Sequence, residues 1–318
     1  MLNFGIVGMN EGNGHPYSFA ASFNGFDPEA LEKYCDFPII RKYLTTHHRN
    51  QEFIPEARIS HIWTQDRAVS EGVAAVAKIP HISSSLEEMA SQVDGIIFTR
   101  DDIWNHFEMA APLFKTGKPI YMDKLLCATE PELRAMLKII GRDYPLLTAS
   151  SFRYAPLVKE AASFMRDKSP LTVNGLSHCL WIRYAPHLLD ALFAISGRDV
   201  KTVQNTGSDR RDTVTLTYGS GMQAVMQVFD GMAGTLGLTY RFAAPQLPYE
   251  VPYTDKTLES YFLSIVEMMR AYTRMALGKE RSVTLEETVF MNRVVLAGIA
   301  SREQGGKKIE MKDFLPDL

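Results

Sequence analysis

Residues 93–128 read VDGIIFTRDDIWNHFEMAAPLFKTGKPIYMDKLLCA, and the pattern in this stretch decides the fold. An apolar run at Gly95–Thr99 is followed by apolar residues at helical spacing from Asn105 to Lys115, and a second apolar run follows at Pro119–Met122. Apolar strands that alternate with helices of this length form βαβ units, in which the strands are parallel and the sheet is covered on both faces. The stretch therefore predicts part of a parallel α/β sheet.

The same alternation continues on both sides of this stretch. Apolar runs at Leu2–Val7, Ile59–Trp63 and Pro145–Ala149 predict further strands, and capping boxes at Ser85–Glu88 and Thr129–Glu132 predict the starts of helices. Because crossovers between parallel strands are right-handed, the first half of the chain is predicted to be a doubly wound, Rossmann-type domain.

One connection in this domain is longer than a single crossover helix requires. The first strand ends near Gly8 and the second begins near Arg58, a gap roughly twice that needed for one crossover. We expect an insertion at about residues 10–57 with short helices of its own, one of them near Asp27–Tyr34. Loops this long in a compact domain are often functional.

After residue 151 the pattern changes to consecutive strands without intervening helices. The predicted strands, which share two-residue alternation, are Thr172–Ile182, Val200–Asn205, Thr213–Tyr218, Met222–Phe229 and Gly234–Phe242. Such a series predicts a large, open, mostly antiparallel sheet, followed by helices over Leu258–Leu277 and from Thr284 to about Ser301. We therefore expect a dinucleotide-binding domain at 1–150 and an α+β substrate domain at 151–318, whose sheet is a candidate interface for a homodimer or homotetramer.

Composition excludes several classes of partner. The chain has 318 residues, with 34 Lys+Arg against 37 Asp+Glu and a net charge of −3, so it lacks the basic surface of a nucleic-acid-binding protein. No run of apolar residues is long enough for a membrane span. Three scattered cysteines do not form a disulfide framework or a cysteine-rich zinc site, and we expect no metal. These features predict a soluble, cytoplasmic protein.

The turn after the first strand reads Gly8-Met-Asn10-Glu-Gly12-Asn13-Gly14. Dinucleotide-binding folds need glycines here, for a tight turn and for close approach of the pyrophosphate to the backbone. The G-x-G-x-x-G spacing is broken, because asparagines occupy its second and third glycine positions. The turn therefore predicts either an altered cofactor loop or a glycine-rich loop without a ligand.

The second strand leads into Thr64-Gln-Asp66-Arg67. An acid that binds the adenosine ribose is expected at the position of Thr64. Asp66 is close enough in sequence to take that role or to be a solvated loop acid, whereas Arg67 would suit the 2′-phosphate of NADP. Both NAD and NADP remain open at this point, with a slight preference for NAD.

Several motifs in order resemble the Gfo/Idh/MocA oxidoreductases, the group of glucose–fructose oxidoreductase and inositol dehydrogenase. The matching residues, which extend over nearly the whole chain, are Thr99, His106, Gly117-Lys118, Asp123-Lys124-Leu125, Ser151-Phe-Arg153-Tyr154 and the His187…Asp190…Gly197 helix. The resemblance implies NAD(P)-dependent hydride transfer between nicotinamide and a hydroxyl carbon of a sugar, sugar acid or cyclitol.

The resemblance also implies site residues. Alcohol oxidation needs a base for the hydroxyl proton and a donor that polarises the carbonyl, and Lys124 and His187 match those positions. The alternatives are a surface lysine and a helix-start histidine that bonds to the backbone. The implied cofactor-binding residues are Gly8, Asn10, Gly12, Gly14, Thr64, Asp66, Thr99, Arg100, His106, Asp123 and Lys124.

Two departures from the family pattern concern the substrate site. Leu125 replaces the family's proline, which predicts a trans bond after Lys124, because a cis bond without proline costs about 2.5–4 kcal/mol. Arg183 stands at a position where the family often has Asp. Arg153 and Tyr154, earlier in the sequence, are also expected to line the substrate pocket. Arginines clamp carboxylates and phosphates, so an acidic substrate is expected. The alternative is that both arginines pair with the protein's own carboxylates.

Two other classes of function share these features. One is a non-catalytic regulator that binds a nucleotide or sugar on the same fold. The other is a glycosidase that uses bound NAD for transient oxidation. The irregular glycine turn and the missing ribose acid favour altered cofactor use, whereas Lys124 and His187 favour an enzyme.

Overall fold

The computed structural model describes residues 1–48, 53–252 and 258–318, and the chain forms two compact units. The first unit comprises Met1–Cys127, Pro131–Ala149 and Leu258–Leu285. The second comprises Ala128–Glu130, Ser150–Thr257 and Glu286–Leu318. Within the described residues, no helix combines the length and the hydropathy that are needed to cross a membrane.

The first unit is built on a six-stranded parallel sheet. Its strands are β1 (Leu2–Val7), β2 (Ala57–Trp63), β3 (His81–Ile82), β4 (Gly95–Phe98), β5 (Ile120–Met122) and β6 (Leu146–Leu147). Their spatial order is β3-β2-β1-β4-β5-β6, so the chain reverses its direction of winding between β1 and β4. This order confirms the predicted doubly wound fold, in which ligands bind at the carboxyl ends of the strands beside that reversal.

Helices cover the sheet of the first unit. They are α1 (His15–Asn24), α2 (Pro28–Tyr34), α3 (Pro38–Tyr43), α4 (Arg67–Val76), α5 (Leu86–Gln92), α6 (His106–Phe114) and α7 (Glu130–Ile140). The described part of the expected insertion, about residues 10–57, contains α1, α2, α3 and a π-helical turn at Leu44–His48. The remainder of its polar stretch, residues 49–52, lies outside the described residues.

One helix of the first unit comes from the other half of the sequence. Residues 258–276 form a helix, Leu258–Ala276, that packs with the first unit, whereas the sequence pattern assigns it to the second domain. Tyr272 explains the difference, because its ring lies 4.9 Å from the ring of Phe4 and its hydroxyl donates to the Pro119 carbonyl at 3.0 Å. The apolar face of this helix therefore completes the core beside β1 and β5.

The second unit contains a seven-stranded sheet. In chain order after β6, its strands are β7 (Thr172–His178), β8 (Val200–Asn205), β9 (Arg211–Tyr218), β10 (Gln223–Phe229), β11 (Leu236–Arg241), β12 (Tyr249–Pro252) and β13 (Ile309–Glu310). The spatial order is β12-β11-β7-β10-β9-β8-β13. Only the β7–β10 pair among these strands is parallel, which confirms the predicted mostly antiparallel sheet.

Three helices belong largely to the second unit: α8 (Pro156–Met165), α9 (Trp181–Ser196) and the last helix, Leu285–Glu303. In chain order, Leu258–Ala276 is α10 and Leu285–Glu303 is α11. The α9 and α11 helices approach closely at Gly298. In this contact Trp181 on α9 donates from its indole nitrogen to the Val295 carbonyl on α11 at 3.1 Å. A Cβ atom at Gly298 would lie 2.9 Å from the Trp181 indole nitrogen.

Candidate functional site

A cavity of about 500 Å³ lies in the first unit at the carboxyl ends of β1 and β2. Its volume is within the range of small-molecule sites. The residues that line it come from the glycine turn, the loop after β2, the loop after β4 and the insertion; they are Met9, Asn10, Glu11, Gly12, Asp36, Phe37, Thr64, Gln65, Asp66, Val69 and Arg100. The fold and the cavity thus agree on where a nucleotide would bind.

Two glycines give the turn after β1 its shape. Gly8 has φ +91°, and a Cβ atom there would lie 2.3 Å from Cγ of Arg100. Gly12 has φ +76°, and no heavy atom lies within 4 Å of the position that a Cβ atom would occupy there. Only glycine adopts such angles without strain. At Gly12 the backbone is therefore open to the cavity, which is what close approach of a pyrophosphate requires.

Asn10 replaces the second glycine of the fingerprint and stabilises the turn by bonding to Asp101. Its side-chain amide donates to Asp101 Oδ1 at 2.8 Å, and its Oδ1 accepts from the Asp101 backbone at 3.1 Å. Arg100 holds the same turn, because it donates to the Met9 carbonyl at 3.2 Å and forms a two-pronged ion pair with Asp102. The irregular turn is therefore a well-bonded structure.

Six predicted cofactor residues do not line the cavity: Gly8, Gly14, Thr99, His106, Asp123 and Lys124. Gly14 is buried, and a Cβ atom there would lie 2.4 Å from Ile40 and 2.7 Å from Phe37. The fully buried Thr99 hydroxyl donates to the Val7 carbonyl at 2.9 Å. His106 is also fully buried, between the carbonyls of Leu125 at 2.8 Å and Arg100 at 2.9 Å.

Burial lowers the pKa of His106, although its carbonyl partners oppose that shift. The ring of His106 lies between two loop carbonyls, so it links the loop after β4 to the segment after β5. Thr99 and Gly14 likewise fix the backbone around the cavity.

Thr64 and Asp66 do line the cavity, but part of their bonding capacity is used locally. The Thr64 hydroxyl donates to the Asp66 carbonyl at 2.5 Å. The Asp66 carboxylate caps α4 by accepting from the backbone of Ala68 at 2.8 Å. At the end of β2, the position expected for an acid that binds the ribose is therefore occupied by an uncharged threonine, Thr64. Asp66, two residues later, caps α4.

Asp36 and Phe37 line the cavity but were not predicted as site residues. They lie between α2 and α3, in the insertion. The only sequence signal was the unusual length of the connection, which marks a segment but does not identify its residues.

A second cluster in the first unit surrounds Lys124, just after β5. Asp123 and Lys124 are 1% and 3% exposed, and Lys124 Nζ lies 3.6 Å from Asp123 Oδ1. The other Asp123 oxygen lies 2.5 Å from Nδ1 of His15, the first residue of α1. Lys124 is therefore a buried lysine beside a buried carboxylate, and it is not the surface lysine of the alternative interpretation.

The peptide bond between Lys124 and Leu125 is cis, which corrects the expected trans bond. Leu125 is fully buried, and its carbonyl contacts the ring of His106. The chain thus has a cis bond after Lys124 without a proline at the next position.

The predicted residues of the second unit form a network around Asp190. Its Oδ2 accepts from the backbone of Ser150 at 2.6 Å, and its Oδ1 pairs with Arg153 at 2.8 Å. Arg153 also pairs with Glu287 at 2.5 Å. Burial raises the pKa of Asp190, and the Arg153 charge opposes that shift. Arg153 therefore serves the protein's own carboxylates, as the alternative interpretation expected.

His187 is anchored through its Nδ1, which lies 2.6 Å from the Ser150 hydroxyl. Its ring also packs beside Tyr184, whose centroid is 5.2 Å away, and Tyr184 packs on His178 at 4.4 Å. Tyr154 is buried, and Arg183 is half-buried in the first turn of α9.

Comparison with known proteins identifies the fold. No family model and no curated protein sequence matches the chain. Among solved structures, the myo-inositol 2-dehydrogenase from Lactobacillus plantarum superposes with a TM-score of 0.72 at 12% identity, covering 97% of this chain and 99% of that one. The apo scyllo-inositol dehydrogenase from Lactobacillus casei gives 0.73 at 10% identity, covering 98% and 99%.

An oxidoreductase from Agrobacterium radiobacter, solved with NAD+, L-tartaric acid and magnesium, gives a TM-score of 0.73 at 12% identity and covers 99% of both chains. The chain therefore has the fold of the Gfo/Idh/MocA dehydrogenases over nearly its whole length, as the sequence motifs predicted.

Proposed function

We propose that the chain is a cytoplasmic NAD(P)-dependent oxidoreductase that transfers a hydride between nicotinamide and a hydroxyl carbon of a sugar, sugar acid or cyclitol. The observation that carries the proposal is the cavity at the carboxyl ends of β1 and β2, with the open backbone of Gly12 on its wall. The fold similarity to inositol dehydrogenases and to an NAD+-bound oxidoreductase supports the same class of reaction.

In the proposed reaction, separate residues bind the cofactor, polarise the substrate and transfer the proton. When bound, the nicotinamide cofactor supplies the hydride acceptor or donor. Lys124 polarises the substrate oxygen, and its buried partner Asp123 holds the ammonium in place. His187, oriented by Ser150, exchanges the hydroxyl proton. Gly8, Asn10 and the other residues of the turn shape the surface for the pyrophosphate.

Cofactor binding and turnover test this proposal separately. NAD, NADH, NADP and NADPH are each added to the full chain, and a rise in melting temperature reports binding, since a ligand stabilises the native state. Turnover of polyols and sugar acids is then followed by nicotinamide absorbance. Lys124→Met is expected to lower kcat by about a hundredfold or more, while the exposed Lys115→Met remains normal.

The outcomes separate the three classes of function. No stabilisation by any of the four cofactors contradicts the proposal. Stabilisation without turnover of any substrate favours a regulator on the same fold. Glycoside hydrolysis that depends on bound NAD favours the glycosidase.

We propose further that the substrate carries an acidic group that Arg183 binds. Because Arg153 is engaged by Asp190 and Glu287, this proposal depends on Arg183. Arg183→Ala is expected to raise KM for sugar acids about tenfold or more and to leave KM for neutral polyols nearly unchanged. An unchanged KM for the acids would show that the arginine has another role.

We also propose that the protein is a homodimer or homotetramer that assembles through the sheet of the second unit. The face of β7 and β10 that carries Leu176, Val225 and Phe229 is half-exposed and partly apolar, which supports this assembly.

A further inference from the structure

We propose that Asp36, in the insertion, binds the adenosine ribose of the cofactor and makes the site select NAD over NADP. The inference rests on the proposed function, because it concerns how the proposed cofactor is recognised. In dinucleotide-binding folds, an acid after the second strand ordinarily binds this ribose. Here that position is Thr64, and Asp66 uses one carboxylate oxygen to cap α4.

Asp36 lies on the wall of the same cavity as Thr64 and Gly12. Its carboxylate is exposed, and burial therefore does not prevent it from accepting hydrogen bonds from ribose hydroxyls. A carboxylate accepts two such bonds at once, which makes the 2′- and 3′-hydroxyls of one ribose a suitable partner.

The backbone around Asp36 is fixed on both sides. The Tyr34 carbonyl accepts from the Tyr17 hydroxyl at 2.8 Å, and Cys35 is 1% exposed. On the other side, Phe37 packs on Gly14, where a Cβ atom would lie 2.7 Å from its ring. Asp36 is therefore held at a set position beside the glycine turn, although it belongs to a connecting segment.

The charges around the cavity favour a ribose without a phosphate. Three carboxylates line it, from Glu11, Asp36 and Asp66. Among the described residues that line it, Arg100 is the one cation, and its guanidinium is paired with Asp102. A 2′-phosphate would add about two negative charges next to these carboxylates, where like charges repel.

Arg67, the sequence candidate for a 2′-phosphate, does not line the cavity. Its side chain is 67% exposed and pairs with Glu71 at 3.1 Å. The sequence candidate for a 2′-phosphate thus lies outside the cavity lining, whereas Asp36, an acid, is part of it.

The test measures binding to the full chain without substrate. NADH and NADPH are titrated separately and followed by nicotinamide fluorescence. The native protein is expected to bind NADH at least about tenfold more tightly than NADPH. Asp36→Asn should weaken NADH binding by about tenfold, the loss expected for hydrogen bonds to a charged group, and should change NADPH binding much less.

Two further measurements separate ribose recognition from a general effect of charge. Glu29→Gln, also on the insertion and exposed, removes the same charge and should leave both affinities unchanged. NADH that lacks the adenosine 2′-hydroxyl should lose less affinity on Asp36→Asn than NADH itself, because one of the two hydrogen bonds is already missing. Asp36→Arg should reverse the preference toward NADPH.

Different results would contradict ribose recognition by Asp36 and the proposed oxidoreductase function. If the native protein prefers NADPH, or if Asp36→Asn leaves the ratio of affinities unchanged while NADH still binds, Asp36 does not recognise the ribose. If the native protein binds neither dinucleotide, the proposed function fails as well.

Discussion

At the scale of single residues, Arg153 shows how an expected substrate ligand can be a structural group. Its side chain is 13% exposed and pairs with both Asp190 and Glu287. Removing one partner of a buried ion pair leaves the other charges uncompensated. We expect Arg153→Met to lower the free energy of unfolding by about 3 kcal/mol, as measured by urea denaturation.

Arg166→Met is the matched control, because Arg166 is exposed at the end of α8. It should change stability by about 0.5 kcal/mol or less. Equal stability of the two variants would show that the pairs around Asp190 contribute little.

Ser150 is the residue that orients His187. Its hydroxyl lies 2.6 Å from His187 Nδ1, while its backbone is held by Asp190. Ser150→Ala removes the bond that fixes the ring, so we expect kcat to fall about tenfold with little change in KM.

The exposed Ser163→Ala serves as the comparison, and both variants are assayed well below their melting temperatures. A kcat of Ser150→Ala equal to that of Ser163→Ala would show that Ser150 does not orient the ring.

At the scale of elements, the approach of α9 to α11 depends on the small residue at Gly298. A side chain there would meet the indole of Trp181, which is 2% exposed and has no room to move away. Gly298→Val is expected to destabilise the protein by about 1–3 kcal/mol through overpacking. Ala300→Val, at a half-buried position of the same helix, should cost less than about 1 kcal/mol in thermal unfolding.

The long, buried elements could be predicted from the sequence, because burial on both faces leaves a continuous apolar run. β1 is predicted without error, and β4 and β5 end within one residue of their predicted ends. The strands β3 and β13 have two residues each, too few to show any alternation, whereas the equally short β6 lies within the apolar run Pro145–Ala149. Such strands form because a neighbouring strand offers free backbone groups, which only the folded sheet provides.

The strand predicted at Thr172–Ile182 shows a different limit. It ends at His178, because Cys179 has φ +69° and α9 begins at Trp181. The side chain of Trp181, at the start of that helix, bonds to the Val295 carbonyl of α11, a contact between residues far apart in the sequence. The site shows the same limit: motifs indicated Lys124 and His187, whereas Asp36 reaches the cavity only through the folding of the insertion.

At the scale of the whole molecule, we expect self-association through the half-exposed face of the second sheet. Val225→Lys places a charge at the centre of that face and should convert the native oligomer to smaller species in sedimentation analysis. Leu171→Lys changes an exposed apolar residue that precedes β7, and it should leave the assembly intact. A native protein that sediments as a monomer contradicts the proposed assembly.

The contribution of α10 to the first unit also has a consequence for synthesis. The parallel sheet emerges from the ribosome first, but Tyr272, which covers Phe4, is translated only after most of the second unit. The nascent first half therefore exposes part of its apolar core to solvent throughout that interval. The unit that contains the nucleotide-sized cavity begins to form early and is completed only when nearly the entire chain has been made.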